Sequence, residues 1–190
     1  KPDLELAKAH NIYVIRDNEL DYFTDMAKYL GTSAKYQLFA DIFENTAVRG
    51  LATTVPAIRA KMGETEYYSF SIEPSKLLKI AYVSHRSKGD EGSDISGARR
   101  KGYQRMVNKT RLKKIREYVN ETGGLFPNSI IINVRNKRAM QFDKSDSTSE
   151  SELKLGWLHL PPKYKSAWII DGQHRLYGFT DTEYSDKVTI

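Results

Sequence analysis

The spacing of apolar residues divides the chain into a helical first part and a second part rich in strands. Before Gly50, apolar residues recur every three or four positions, which predicts helices at residues 4–10, 18–30 and 36–43. Four consecutive apolar residues at 12–15 predict a short strand between the first two helices. The first part is therefore expected to contain a helix and a strand, followed by a helical hairpin.

After Gly50, runs of β-favouring residues predict strands, and the turn at Gly63 predicts a hairpin between the first two. We expect residues 129–134 to be buried on both faces, and residues 139–142 to pair back as a hairpin strand. Helices are predicted to begin at Pro74 and to end at residues 122–124. The predicted strands cover residues 55–62, 67–72, 81–83, 129–134, 139–142, 155–160, 166–170 and 186–190. This order predicts an α+β fold with a mixed sheet and flanking helices.

The same pattern suggests three segments. Residues 1–16 form a short helix-strand unit that cannot build a core alone, residues 17–54 form a helical connector, and residues 55–190 form the main domain. The last predicted strand reaches residue 190, so we expect the domain to continue beyond it.

Composition adds limits to this picture. The chain has 190 residues, of which 39% are hydrophobic and 28% charged, as expected for a soluble globular protein. No apolar run approaches the roughly 20 residues of a membrane helix, and no secretory signal is present, so the cytoplasm is the expected location. The absence of cysteine excludes disulfides and a cysteine nucleophile within the chain.

The net charge of +6 permits nucleic-acid binding without requiring it, and its distribution is more informative. Nine cationic residues lie between positions 99 and 116. They can contact a DNA phosphate backbone, or they can form the solvated face of a helix packed through Leu112. The candidate DNA-binding residues are Arg99, Arg100, Lys101, Lys109, Arg111 and Lys113.

Candidate chemistry is concentrated where the apolar run 166–170 ends. Asp171 and Gly172 follow it, and then Gln173, His174 and Arg175. A strand that ends in a glycine turn and enters a helix exposes backbone N–H groups and a positive dipole, which suits an anion. The alternative is a solvated turn before a basic helix start.

The string Asp-Gly-Gln-His-Arg at 171–175 resembles the DGQHR family, whose members accompany bacterial DNA-modification, restriction and phage-defence systems. Residues 102–105 resemble the QR signature of that family, through Gln104 and Arg105. The resemblance implies a ParB/sulfiredoxin-like fold. Because longer relatives carry an upstream restriction-endonuclease-like domain, it also implies that residues 1–16 are the tail of such a domain.

The resemblance also implies a ligand. Sulfiredoxins carry a cysteine where Gln173 stands, so their thiol chemistry is excluded, while His174 and Arg175 keep the phosphate-contacting positions. ParB-type nucleotidases have Gly-Glu-Arg-Arg at this turn. Because the turn shares a glycine and a basic helix start with those families, the resemblance implies a nucleoside triphosphate with Mg²⁺ as the cofactor. The chain has no P-loop motif, so P-loop chemistry is excluded.

In that interpretation the turn is catalytic. Asp171 holds Mg²⁺ or orients water, Gln173 orients water or an oxyanion, and His174 and Arg175 neutralise the transferring phosphoryl group. The expected cofactor-binding residues are Gly172, Gln104, Arg105, Asn128 and Ser129.

Three hypotheses follow. The first is a nucleotide-binding, hydrolysing domain that serves DNA modification, restriction or phage defence, with DNA and other proteins of the system as partners and no membrane. The second is a non-catalytic DNA-binding regulator. The third is a polar network with a structural role only, which ranks last because burying four polar side chains is costly.

Overall fold

The computed structural model describes residues 2–10, 12–15, 17–83, 107–145 and 152–190. These residues form helices and strands of an α+β fold, as predicted. The helices are α1 (Pro2–Ala9), α2 (Asp17–Leu30), α3 (Ala34–Ile42), α4 (Pro74–Ile80), α5 (Lys109–Glu121) and α6 (Gln173–Gly178). The strands are β1 (Thr54–Met62), β2 (Thr65–Phe70), β3 (Ala81–Tyr82), β4 (Ile131–Val134), β5 (Gln141–Lys144), β6 (Lys154–His159) and β7 (Ala167–Asp171).

The predicted helical hairpin is confirmed. A 3-10 turn at Gly31–Ser33 joins α2 to α3, and Gly31 adopts a positive φ of 53°. Helix α2 buries Tyr22, Met26 and Leu30, which recur every four residues on one face. The prediction of a strand at residues 12–15 is wrong. Those residues are exposed and lie outside both sheets, because no described strand runs beside them.

The larger sheet has four antiparallel strands in the order β2-β1-β6-β5. Its β1/β2 hairpin was predicted from the alternating pattern and the turn at Gly63. Strand β5 had been expected to pair back on residues 129–134, and that expectation is wrong. It pairs with β6, where Phe142 lies opposite Leu158 and contacts the Tyr68 ring.

The smaller sheet has the order β3-β7-β4 and is mixed, because β7 is parallel to β3 and antiparallel to β4. Strand β7 is therefore central, and the mixed sheet with flanking helices was predicted. The prediction that residues 129–134 are buried on both faces is wrong. Strand β4 is an edge strand with alternating exposure, and Ile131 is 55% exposed.

One hydrophobic core joins the helices of residues 17–54 to the rest of the chain. Met26 and Leu30 of α2 belong to the same cluster as Leu77 of α4 and Ile169 of β7. The division of the chain into a connector that ends at residue 54 and a domain that begins at residue 55 remains a prediction. Residues of both segments contribute to this core.

The last residues do not form the predicted strand. Residues 186–190 follow a 3-10 turn at Glu183–Ser185, and only Ile190 exchanges backbone hydrogen bonds with Ile72. A single residue pair of this kind is too short to extend either sheet among the described residues.

Candidate functional site

The 171–175 turn has the predicted strand-turn-helix geometry. Strand β7 ends at Asp171, Gly172 adopts a φ of 93°, and α6 begins at Gln173. A Cβ atom on Gly172 would lie 3.0 Å from Cγ1 and 3.2 Å from Cα of Ile130. The position therefore requires glycine, because its backbone is left-handed and lies directly against the residue that precedes β4.

An ion pair spans the turn. Arg175 Nη2 donates to Asp171 Oδ2 at 2.7 Å, and Arg175 Nη1 donates to the backbone carbonyl of Ser129. The hydrogen bond from Arg175 holds the pKa of the exposed Asp171 carboxyl below its usual range. The guanidinium thus joins both ends of the turn to the chain just before β4.

His174 connects the turn to α5. Its side chain is buried, and its Nε2 accepts a hydrogen bond from the backbone N–H of Asn108 at 2.9 Å. Burial, and then repulsion by Arg111, lower the pKa of His174 below its usual value. An accepting Nε2 requires the neutral ring with its proton on Nδ1. The imidazole is therefore held as a structural acceptor at the start of α5.

Asn108 is the N-cap of α5, and its Oδ1 accepts from the backbone N–H of Arg111 at 2.9 Å. Its two contacts place Arg111 beside the turn, where its charge affects the pKa of both Asp171 and His174. The sequence interpretation missed Asn108. The available signal was an asparagine directly before a helical pattern, which is typical of an N-cap.

The first half of α5 carries an exposed basic surface. Lys109, Arg111, Lys113 and Lys114 are all exposed. Arg116 is different, because it is partly buried and its Nη2 donates to the backbone carbonyl of Tyr29 and to Thr180 Oγ1. We name the set Lys109, Arg111 and Lys113 the α5 basic surface.

The remaining predicted site residues are placed as follows. Gln173 is partly buried, with its side-chain oxygen shielded from solvent, and Asn128 is exposed before β4. Ser129 contributes its backbone carbonyl to Arg175. Five further candidates lie outside the described residues, so their proximity to the turn remains a prediction: Arg99, Arg100, Lys101, Gln104 and Arg105.

The metal prediction concerns Asp171 alone. The described part of the chain contains no cluster of three or more histidines or carboxylates suited to a metal ion. A Mg²⁺ ion bound with a nucleotide commonly uses only one or two carboxylates besides phosphate oxygens and water. The Asp171 carboxylate fits that requirement, although it is already paired with Arg175.

These features define an α+β protein that presents a basic helix start beside a glycine turn, an arrangement compatible with phosphate groups. The model of the DndB family, described as DNA-sulfur modification-associated, matches residues 55–185. The chain therefore belongs to the DndB family, and this membership implies a role in DNA sulfur modification. No curated protein and no solved structure matches the chain. Within the described residues, no helix has both the length and the apolar character needed to span a bilayer.

Proposed function

We propose that the chain is a DNA-contacting component of a DNA-sulfur modification system, in which the α5 basic surface contacts the phosphate backbone. Lys109 and Lys113 lie one turn apart on one side of α5, and Arg111 lies on the side nearer the 171–175 turn. Exposed cations of this kind supply the sequence-independent part of DNA affinity. Family membership supports DNA as the partner, together with other proteins of the system.

The observation that carries the proposal is the hydrogen bond from Asn108 to His174. It fixes the first turn of α5 to the 171–175 turn over 66 residues of sequence. Arg175 in turn ties the same turn to Ser129. The polar groups of the turn are therefore engaged with protein, and they hold the basic surface in a fixed orientation.

These contacts favour a binding role over phosphoryl transfer. Neutralising a transferring phosphoryl group needs a positive charge that faces it, whereas His174 is held as a neutral acceptor with its Nε2 occupied by a backbone N–H. Helix α6 has only six residues, so its dipole adds little attraction for an anion. The regulator hypothesis is accordingly better supported than the hydrolase hypothesis.

One observation favours nucleotide binding as a second candidate. The exposed Asp171 carboxylate, which is ionised at neutral pH, lies close to the positive charges of Arg111 and Arg175. Asp171 would hold Mg²⁺ there, and the ion would supply positive charge that offsets the charge of the phosphates. In this second candidate Arg111 and Arg175 contact the phosphates, and Arg105 remains a predicted further contact.

The salt dependence of DNA binding tests the first candidate. We expect replacement of Lys109, Arg111 and Lys113 by alanine to weaken binding and to reduce the slope of log K against log salt by about 3, since each lost phosphate contact removes about one unit. Fluorescence anisotropy between 50 and 200 mM salt, on plain and phosphorothioate DNA, measures this slope.

A matched control removes three exposed lysines on other parts of the surface, Lys61, Lys144 and Lys163, and so causes the same change in net charge. Equal slopes for the two triple variants would contradict the assignment of DNA contact to α5. Binding of nucleoside triphosphates with and without Mg²⁺, compared between wild type and Asp171→Ala, tests the second candidate on the same preparation, and phosphate release then shows whether a bound nucleotide is hydrolysed.

A further inference from the structure

The outer face of the four-stranded sheet exposes an apolar patch. In β1, Ile58 and Met62 point outward and are 41% and 74% exposed. Leu155 lies directly opposite Ile58 on β6, and Trp157 lies two residues further on the same face. Tyr67 completes the patch on β2, so the five side chains are neighbours across three hydrogen-bonded strands.

The opposite face of this sheet covers the core. Val55 and Ala57 of β1 are buried there, together with Leu158 of β6. Alternation along each strand then directs the five apolar side chains of the patch away from the core. Their exposure means that the described residues leave this face largely uncovered.

The charge of this face distinguishes it from the α5 basic surface. Among the outward positions of β1, β2, β5 and β6, the register places no lysine or arginine. Asp143 of β5 lies opposite Trp157 at the side of the patch, and its Oδ2 lies 2.8 Å from His159 Nε2. A DNA backbone would find no cation here, although the chain as a whole carries +6.

The size of the patch matches what a stable homodimer requires. From their exposed fractions, the five side chains present about 500 Å² of apolar surface. A standard interface buries about 800 Å² on each partner, and in homodimers about 65% of that area is apolar. Exposed patches of this size on a monomer commonly mark interaction sites.

From these observations we infer that the outer sheet face is a two-fold interface with a second copy of this chain. A two-fold interface places the same surface on both sides, so a face with a net charge would repel itself. This face limits that repulsion, since the outward positions of its described strands hold no lysine or arginine, and their one carboxylate, Asp143, contacts His159 on the β5 side of the face.

The absence of cysteine allows a direct test. Replacing Ile58, Leu155 or Trp157 singly by cysteine gives a full chain with one thiol each, and Leu125→Cys provides a control at another exposed leucine. Under mild oxidation at low micromolar concentration, we expect at least one variant of the face to form a disulfide-linked dimer. The control is expected to stay monomeric.

Sedimentation velocity from about 1 to 100 μM provides a second readout, with Leu155→Glu compared with Leu125→Glu. We expect Leu155→Glu to weaken dimerisation about tenfold or more, because the new carboxylate occurs twice in a two-fold interface, while circular dichroism shows an unchanged fold. A monomeric wild type at 100 μM would overturn the inference and leave the face to a different protein. A dimer equally stable in both variants would overturn it as well.

Discussion

Replacing Gly172 by alanine tests how closely the turn approaches β4. The backbone φ of 93° lies in the left-handed region, where a Cβ atom costs about 1–2 kcal/mol. The new methyl would also lie 3.0 and 3.2 Å from two atoms of Ile130, one of which is backbone. Overpacking of this kind adds about 1–3 kcal/mol, so we expect a total loss of about 2–5 kcal/mol in the free energy of unfolding.

Gly123 provides the matched control. Its φ of 67° is also left-handed, but nothing lies within 4 Å of the Cβ that alanine would add. Both substitutions lower the entropy of the unfolded chain equally, so this contribution cancels in the comparison. The difference between the two variants therefore measures the contact with Ile130, and we expect it to be about 1–3 kcal/mol.

Urea unfolding followed by far-UV circular dichroism measures both variants, and an unchanged m value shows that midpoint shifts report stability. The Gly172 variant should also weaken DNA binding, because its methyl would approach Arg175 Nη1 to 3.3 Å. If both glycine variants lose the same stability, the close approach of the turn to Ile130 is refuted.

Two further predictions concern buried polar groups. Lys165→Met removes the cation 3.0 Å from Asp41, where both side chains are 13% exposed, and should cost about 3 kcal/mol in urea unfolding. Adding Asp41→Asn should restore part of that loss, because it removes the uncompensated carboxylate and keeps an acceptor for the Tyr82 hydroxyl. A double variant as unstable as the single one would contradict this account. The pKa of His174 is lower in the folded than in the unfolded chain. The neutral imidazole therefore makes its full contribution to the stability of the folded chain above about pH 6.5, and this contribution is lost as the pH falls through the folded pKa. Between pH 7.5 and 5.5, wild type should lose more stability than His174→Gln in urea unfolding. Equal decreases of the two urea midpoints would contradict the assignment of this pH dependence to His174.

The parts of the fold predicted correctly are those encoded by local pattern. The β1/β2 hairpin follows from alternation on both sides of Gly63, and the turn at Gly172 follows from an apolar run that ends at Asp-Gly. The partner of β5 was predicted wrongly, because strand pairing depends on register between distant segments. The four residues of β5 contain no local signal that distinguishes β6 from β4.

In the candidate site too, local pattern predicted some residues, and contacts between distant segments were missed. The sequence identified the members of the turn, since their residue types are unusual after a buried strand. It did not identify Asn108 as the partner of His174, because a backbone N–H carries no side-chain signature. The Lys165–Asp41 ion pair joins residues 124 positions apart and was also missed, as neither residue stands in a recognisable motif.

The structure also answers the objection that ranked a structural role for the pentapeptide last. That objection rested on the burial of four polar side chains, which costs several kcal/mol for each group that is left without a hydrogen bond. Asp171 is instead exposed, and the buried His174 accepts a hydrogen bond, so the turn incurs little of that cost. A structural role and a binding role are then compatible, because the contact that satisfies His174 also fixes the first turn of α5. Loss of His174 should therefore alter DNA binding through the position of Arg111, because the imidazole accepts the hydrogen bond that fixes Asn108.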